Sequence, residues 1–396
     1  DCWVACEHGL DEGYHFLEET VASEAALDGR AQDIARTDLT FAQPLWQVIV
    51  LRAPTRSAVI MRIHHIIGDG LGLLLSLAPL LVTENGENVL STCPLPNLFL
   101  PPELRKATSQ VAGQKQKKKG FLGTALSAVL SFIRGALSPL TARWDDDLAL
   151  NPPLKERKAQ LEGSAEQIFV KLPTTDLEVI KGIRQTLGVS VNDVLVGVLA
   201  GALRRYGAET LQDERLQGAK RKKPLEFKAL MTVGLPRPVS DPGSGLQNKW
   251  NFACLPVPVG EEFAVERVTA VRDAMLPLKT ASFMAGAWFA ARMVLRIMPR
   301  WLNRATVAEL FGKHSLVCSN VPGPGAKCKW PSEQGETIED IYLIFPNLIP
   351  QVSMISYGGK VCVAVTVDPK RWPNAEALKE AWEKEVAELA SICKSL

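Results

Sequence analysis

Two adjacent histidines, His64 and His65, are the residues of this sequence best suited to chemistry. They begin a run that ends at Gly70 and matches the pattern HHxxxDG, which is expected by chance in on the order of one chain in a thousand of this length. An unperturbed pKa of about 6.5 makes an imidazole a usable general base at neutral pH. Because neighbouring residues at a strand end point to opposite sides, we expect one histidine to face a site and the other to pack behind it.

Other kinds of site are less well supported by the sequence. A satisfied structural pair in a turn is the alternative for the histidines. A metal site would need a third ligand, and none of the other histidines, His8, His15 and His314, lies at metal-motif spacing. No GxSxG nucleophile elbow occurs in the sequence. The residues therefore predict direct transfer, in which a base deprotonates one substrate that then attacks an already activated one.

The histidine run follows a predicted hairpin and precedes a predicted helix. Leu45 to Leu51 and Ser57 to Ile63 are typical of two strands around a proline-containing turn, and the leucine-rich stretch Leu71 to Leu81 indicates a buried helix. Further on, Ser190 and Asp193 form a predicted capping box for a helix that closes at Gly207. Additional strands are predicted at 167–172, 227–233, 250–257, 315–321, 341–345, 351–357 and 360–367, with helices at 175–187, 263–281, 284–298 and 375–394.

Composition indicates a folded chain of more than one domain. A length of 396 residues favours two or three domains, and 46% hydrophobic with 22% charged residues is typical of globular proteins. A net charge of +2 gives the protein no overall electrostatic attraction for nucleic acid. Nucleic acid is therefore not a predicted partner. The eight cysteines are scattered without a CxxC pair, so we interpret them as reduced, cytosol-facing thiols.

A basic and apolar linker, residues 106–162, separates the two predicted domains, 1–105 and 163–396. Within it, residues 115–119 carry four lysines, and Gly120 to Ile133 is apolar or small. An apolar stretch too short to span a bilayer and flanked by cations can lie in a membrane interface. A linker helix packed against the protein's own core is the equal alternative.

Five motifs occur in order along the chain: Pro44-Leu45-Trp46, HHxxxDG, Val191-Asn192-Asp193-Val194, Ser319-Asn320-Val321-Pro322-Gly323-Pro324 and Ser356-Tyr357-Gly358-Gly359. Their order and approximate spacing resemble the wax ester synthase/diacylglycerol acyltransferase family. The resemblance extends from about Trp3 to the final helix and implies an α/β fold of two chloramphenicol acetyltransferase-like domains, each a mixed sheet with flanking helices, with a substrate tunnel at their interface. The family also carries a further N-terminal segment, so the first elements of domain one are expected to be missing here.

The resemblance implies an acyl-CoA-dependent O-acyltransferase that esterifies a long-chain fatty alcohol, diacylglycerol or both. Acyl-CoA is then a co-substrate, and no resident cofactor is expected. The enzyme would associate peripherally with the cytoplasmic side of a membrane or with a lipid droplet, at the endoplasmic reticulum in a eukaryote. A short-chain or specialised-metabolite alcohol acyltransferase on the same fold is one alternative, and a non-catalytic lipid-binding relative is another.

The resemblance also assigns roles to the two histidines and to one asparagine. His65 would be the general base that takes the hydroxyl proton of the acceptor, with His64 as its neighbour in the motif. Asn192, at a helix N-terminus, would donate a hydrogen bond to the developing oxyanion. A helix-capping amide is the equal alternative for Asn192.

The remaining implied site residues are structural or contact the substrate. Asp69, followed by Gly70, resembles the family aspartate that holds the histidine loop, with Arg237 as its expected ion-pair partner. Pro44, Leu45 and Trp46 are expected to form a strand entrance with a large core residue, with direct substrate contact as the alternative role.

Overall fold

The computed structural model of this chain describes residues 9–94, 121–151, 166–217, 224–235, 246–294, 297–331 and 335–396. Its contacts form two compact units that divide the chain differently from the predicted boundaries at 105/106 and 162/163. The first unit contains the chain up to Ser76 and a second, short segment that ends at Asn248. The second unit begins at Leu77. The chain after Ser76 belongs to the second unit because Val82–Thr83 pairs there with Cys328–Lys329.

The first unit is a three-stranded mixed sheet with helices. Strand β1 runs parallel to β2, and β3 runs antiparallel to β2, so that Trp46 lies opposite Ile63. Leu27 and Ile49 belong to its small core. The predicted hairpin is thereby confirmed. The elements are α1 (Glu12–His15), β1 (Phe16–Thr20), α2 (Glu24–Arg36), β2 (Trp46–Arg52), β3 (Ser57–Ile63) and α3 (Gly70–Leu77).

The second unit contains a larger mixed sheet and most of the helices. Its first elements are β4 (Val82–Thr83), α4 (Val89–Thr92), α5 (Phe121–Thr141), β5 (Ile168–Lys171), β6 (Thr175–Asp176), α6 (Leu177–Leu187), α7 (Val191–Arg205) and α8 (Glu214–Gln217). They are followed by β7 (Lys228–Gly234), β8 (Trp250–Pro256), α9 (Ala264–Leu278), α10 (Ala281–Phe289), α11 (Arg300–Gly312), β9 (Leu316–Pro322), β10 (Cys328–Lys329), β11 (Gln351–Tyr357), β12 (Lys360–Val367) and α12 (Ala377–Ser395).

The main sheet of this unit has the strand order β5-β12-β11-β9-β7-β8, and β6 also pairs with β12. Strand β9 is parallel to both β7 and β11, whereas the other pairs are antiparallel. Gly358 and Gly359 join β11 to β12 with φ of 53° and 81°, as a tight hairpin turn requires. The mixed α/β class with flanking helices is confirmed.

Three expectations about single elements were wrong. Residues 341–345 form no strand, because the nearby β12 already has β11 on one edge and β5 with β6 on the other. The helix expected to close at Gly207 continues as a π-helical turn, Tyr206–Thr210. Gly207 instead permits close packing, since a Cβ there would lie 2.4 Å from a methyl carbon of Leu216.

The third difference concerns the predicted helix over 284–298. The structure has α10 followed by a π-helical turn, Ala290–Val294, and then a separate helix, α11, which was not predicted from the sequence. Pro299 occupies the N-cap position of α11. Proline cannot continue a helix but fits the start of a new one, which accounts for the break.

The capping box of α7 is present as predicted. The Ser190 hydroxyl accepts from the amide of Asp193 at 3.2 Å, and the Asp193 carboxylate accepts from the amide of Ser190 at 2.8 Å. Lys279, at the end of α9, lies 3.1 Å from the same carboxylate. The capping box and the contact with Lys279 together fix the first turn of α7, which carries Asn192.

A buried ion-pair cluster holds α7, α9 and α12 together. The Glu385 carboxylate pairs with the guanidinium of Arg267, and both side chains are almost fully buried. Arg205, from α7, lies 3.1 Å from the same carboxylate and also pairs with the more exposed Glu388. A Cβ at Gly201 would lie 2.1 Å from the Glu385 carboxyl carbon, so the missing side chain of Gly201 makes room for the cluster.

His314, between α11 and β9, makes the stability of this unit depend on pH. Burial, followed by the nearby Lys228 and Lys313 charges, lowers the pKa of His314 to about 4, although its Nδ1 contacts the Leu310 carbonyl at 2.7 Å. The unfolded chain takes up this proton at a pH of about 6.5, whereas the folded chain does not. The stabilisation is therefore complete above that pH and is lost as the pH falls towards 4.

We expect this histidine to reduce the free energy of unfolding by about 2 kcal/mol between about pH 7.5 and about pH 5. Urea unfolding of the parent and of His314→Gln at both pH values measures the effect. The variant should lose about that much of the pH dependence. Equal pH dependence in the two proteins would contradict the assignment.

No single helix among the described residues is both long and apolar enough to cross a bilayer. The stretches Leu177–Leu187 and Val191–Thr210 reach the length and composition of a span only when taken together, and they meet at a bend of 102°. In the structure, α7 lies in the core of the second unit, with Val194 and Leu203 fully buried.

Candidate active site

The histidine run forms a tight loop between β3 and α3. The His64 amide donates to the Leu45 carbonyl at 2.9 Å, and the His64 carbonyl accepts from the Ile67 amide at 3.0 Å. The side chain of His64 is exposed, and its Nδ1 accepts from the amide of Ile66 at 3.2 Å. His65 is half-buried. The two side chains therefore lie in different surroundings, and that of His64 serves its own loop. Neither is fully buried, so which histidine faces a site stays a prediction.

Asp69 ends the loop by capping α3. Its carboxylate accepts from the Gly72 amide at 2.8 Å, and its carbonyl accepts from the Leu73 amide at 2.8 Å. The side chain is only 5% exposed. Asp69 thus holds the loop, and Gly70 is the first residue of the helix that it caps. Arg237 lies outside the described residues, so its pairing with Asp69 stays a prediction.

A segment distant in sequence also holds the histidine loop, and sequence reasoning missed it. The Asn248 side-chain amide donates to the His65 carbonyl at 2.7 Å and to the Ile66 carbonyl at 3.2 Å. The backbone of Leu246 passes 3.7 Å from where a Cβ of Gly68 would lie. Asn248 is a positioning residue. Its only sequence signal was its place just before a predicted strand, which does not indicate what it contacts.

The backbone of the Pro44-Leu45-Trp46 motif lies beside the histidine loop. The Leu45 carbonyl holds the amide of His64, and Trp46 pairs across the sheet with the last residue of β3. The Trp46 ring also packs against buried His15, with ring centroids 4.3 Å apart. The motif thus lies at a strand entrance as expected, but Trp46 is half-buried and is not the core residue that was expected. The substrate contact suggested for it stays a prediction.

Asn192 lies in the second unit, in the first turn of α7, and it is not the cap of that helix. Ser190 and Asp193 provide the cap, which removes the alternative of a capping amide. The Asn192 side-chain oxygen accepts from the Asn320 side-chain amide at 3.0 Å, and its own amide nitrogen lies 3.9 Å from the sulfur of Met275. With its acceptor occupied, Asn192 presents N–H groups, as an oxyanion donor must.

Asn320 is the second functional candidate that sequence reasoning missed. The stretch from Ser319 to Pro324 was interpreted as an architectural loop, and part of it is one. The Gly323 amide donates to the Ser356 hydroxyl at 3.3 Å, and the Gly358 amide donates to the Pro324 carbonyl, so the last two motifs meet. The motif itself was the available signal. The amide-to-amide contact of Asn320 required the structure.

The chemistry of the remaining reactive groups is limited by burial. Burial raises the pKa of the Cys93 and Cys318 thiols to about 12 and that of Cys254 to about 11. Such thiols are not thiolate nucleophiles at neutral pH. Within the described parts of the chain, no three His, Cys, Asp or Glu side chains are grouped to hold a metal ion.

The fold is similar to that of two solved structures of other proteins. A solved wax ester synthase/diacylglycerol acyltransferase from Marinobacter aquaeolei VT8 matches with a TM-score of 0.59 over 99% of this chain and 83% of that chain, at 17% identity. The EpoB NRPS cyclization-docking bidomain from Sorangium cellulosum matches with a TM-score of 0.51 over 96% of this chain and 70% of that chain, at 12% identity. At these identities the likeness shows the fold alone.

The sequence comparison is more specific. The profile of the wax ester synthase/diacylglycerol acyltransferase catalytic domain matches residues 11–195, and that of the WS/DGAT C-terminal domain matches residues 246–390. Wax ester synthase/diacylglycerol acyltransferase 7 of Arabidopsis thaliana is 22% identical over 431 residues, covering 99% of this chain and 86% of its own. Number 6 of the same plant is 21% identical over 405 residues, covering 91% and 74%. The chain belongs to the wax ester synthase/diacylglycerol acyltransferase family and is an O-acyltransferase.

Proposed function

We propose that this protein transfers a long acyl chain from acyl-CoA to the hydroxyl of a fatty alcohol or of diacylglycerol. The observation that carries the proposal is the histidine loop, in which His65 is half-buried and its carbonyl accepts a hydrogen bond from the Asn248 side chain. Family membership supplies the reaction class. No resident cofactor is needed, because a thioester is already an activated acyl group.

In the proposed reaction, the His65 imidazole removes the acceptor's hydroxyl proton as the oxygen attacks the thioester carbonyl. A carbon–oxygen bond forms, and the carbonyl oxygen becomes an oxyanion that the amide of Asn192 stabilises. The carbon–sulfur bond then breaks, and the departing thiolate takes the proton from the imidazolium. The products are the ester and CoA, and His65 returns to its neutral form.

An acyl-transfer assay tests the substrate class. Palmitoyl-CoA is offered with hexadecanol, dioleoylglycerol or a short alcohol, while thiol release and ester formation are both measured. Ester from hexadecanol or dioleoylglycerol, formed at least about a hundredfold more slowly with His65→Ala, is the expected result. Ester from the short alcohol alone would replace the proposal with the specialised-metabolite alternative, and lipid binding without any ester would favour the non-catalytic one.

Asn320 should act as a positioning residue for Asn192. We expect Asn192→Ala to lower kcat about 10²- to 10³-fold, the usual loss for one oxyanion donor, with little change in KM. Asn320→Ala should cost less, because Asn192 remains in place. Steady-state kinetics of both variants provides the measurement.

Asn320→Asp is the sharper control, because it keeps the size of the side chain but cannot donate. An aspartate at this position would accept from the Asn192 amide, turning the carbonyl of Asn192 towards the oxyanion. We therefore expect Asn320→Asp to have a lower kcat than Asn320→Ala. A merely structural role predicts the opposite order.

We also propose that the enzyme works on the cytoplasmic side of a membrane or on a lipid droplet, to which it binds peripherally. In a eukaryote the membrane would be that of the endoplasmic reticulum. The chemistry of the proposed acceptors supports this location, because hexadecanol-like alcohols and diacylglycerol partition into lipid. Flotation of the purified protein with vesicles tests it, and recovery of the protein only in the unbound fraction would contradict it.

A further inference from the structure

Helix α5 exposes its apolar side chains. Leu126 is 61% exposed, and Val129, Leu130 and Ile133 are exposed as well. Arg134 is the only charged residue of this 21-residue helix. A helix that is apolar nearly all round is normally buried, so these side chains indicate a surface that something covers.

The side of α5 that is used for packing is the side with small residues. A Cβ at Gly135 would lie 2.0 Å from the carbonyl oxygen of Phe283, and one at Gly286 would lie 1.9 Å from that of Phe132. The Ser131 and Thr280 hydroxyls also form a hydrogen bond of 2.9 Å. The sequence left two roles open for this segment, a membrane interface and packing against the protein's own core. Packing against α10 accounts for one side of α5. Leu126, Leu130 and Leu137 remain exposed.

A second exposed apolar row begins on α10 and continues into α11. Trp288, Phe289 and Met293 are exposed, Ile297 is 82% exposed and Trp301 is 71% exposed. The last four stand at every fourth position of the sequence. We call the exposed apolar side chains of α5 and of Trp288–Trp301 the apolar face.

The charges that accompany the apolar face all have one sign. Residues 280–308 contain four arginines and no acidic residue, and α5 contains no acidic residue either. Arg134, Arg292, Arg300 and Arg304 are exposed. Exposed tryptophans with arginines beside them are typical of surfaces that lie at the headgroup level of anionic lipid.

A cavity of about 480 Å³ lies next to the second row. Its lining combines apolar Leu235, Met284 and Trp288 with two cationic residues, Lys249 and Arg292. Its volume is that of a small-molecule site. A lining that combines apolar and cationic residues is of the kind that an amphipathic anion, such as an anionic lipid, would match.

We propose that the apolar face docks this acyltransferase onto an anionic phospholipid surface. The apolar side chains enter the acyl boundary, and the arginines pair with the headgroup phosphates. The inference rests on the proposed function in one respect, because an enzyme with lipid acceptors needs access to the surface that contains them. It is tested by binding alone, independently of turnover.

The experiment is flotation of the full chain with phosphatidylcholine vesicles that contain about three parts in ten phosphatidylserine, compared with phosphatidylcholine alone. We expect the parent to float with the anionic vesicles. Arg300→Gln with Arg304→Gln should weaken binding about thirtyfold. Ile297→Ser with Trp301→Ser should weaken it about tenfold or more. All four positions are exposed, so unfolding temperatures should match that of the parent.

Two matched pairs provide the controls. Arg184→Gln with Lys370→Gln removes as much charge elsewhere, and Leu348→Ser with Leu396→Ser removes exposed apolar side chains elsewhere. Both should bind like the parent. Unchanged flotation of the face variants, or an equal loss in the controls, overturns the proposal. So does a parent dimer that the Trp301 variant dissociates, because the face would then join two copies of the chain.

Acyl transfer to a detergent-solubilised acceptor separates this proposal from the proposed function. The face variants should retain that activity while losing activity on vesicle-embedded acceptor. A parent that floats but forms no ester refutes the proposed function alone. A parent that forms ester but does not float refutes the docking face alone.

Discussion

His65→Ala should lower the rate of acyl transfer by about 10²- to 10⁴-fold, because it would remove the proposed general base and leave the loop intact. The loop contacts of this residue that involve Asn248 are made by its carbonyl, which alanine retains. We therefore expect the unfolding temperature to change little. Initial rates with palmitoyl-CoA and the best acceptor measure the effect.

His64→Ala is the matched control. Its imidazole is exposed and accepts one hydrogen bond from the Ile66 amide, so its removal should cost less activity. The two single variants share the loop and differ only in which imidazole is lost. A His65→Ala rate within about tenfold of the parent would remove His65 from the role of general base.

Glu385→Ala should destabilise the second unit by about 3–5 kcal/mol, because it leaves Arg267 buried without its anionic partner. Arg267 also donates to the carbonyls of Glu261 at 2.9 Å and Glu262 at 2.7 Å, and these contacts do not neutralise its charge. Urea unfolding measures the loss. Since the cluster joins α7 to α9 and α12, the variant should also hold Asn192 less firmly once the unit loosens.

Glu388→Ala tests whether burial is the cause. Glu388 pairs with the same Arg205 but is 41% exposed, so its removal should cost at most about 1 kcal/mol. Replacing the pair, with Arg267→Met and Glu385→Leu together, should recover much of the loss by removing the unpaired charge. Similar losses for Glu385→Ala and Glu388→Ala would show that burial of the Arg267–Glu385 pair does not raise the cost of breaking it.

Several features could be predicted from the sequence alone, because they depend on interactions between residues close in sequence. The hairpin before the histidines follows from its alternation and turn residues, and the start of α7 follows from the Ser190 and Asp193 capping pair. The HHxxxDG pattern singled out the histidine pair, and the ordered motifs indicated the family, the resemblance to which assigned the base to His65. Each of these signals lies within a short stretch of chain, where residue types act on their immediate neighbours.

Tertiary structure decided what depends on contacts between distant residues. Asn248 holds the His65 carbonyl across 183 positions of sequence, and Asn320 orients Asn192 across 128. Gly207 resembles a helix end in sequence, yet the Leu216 side chain beside it makes it a packing glycine within a continuing turn. The surfaces that meet in the folded chain determine the orientation of the Asn192 amide, the pairing of the strands and the exposed side of α5. A residue pattern could not predict these features, because it carries no information about neighbours that are distant in sequence.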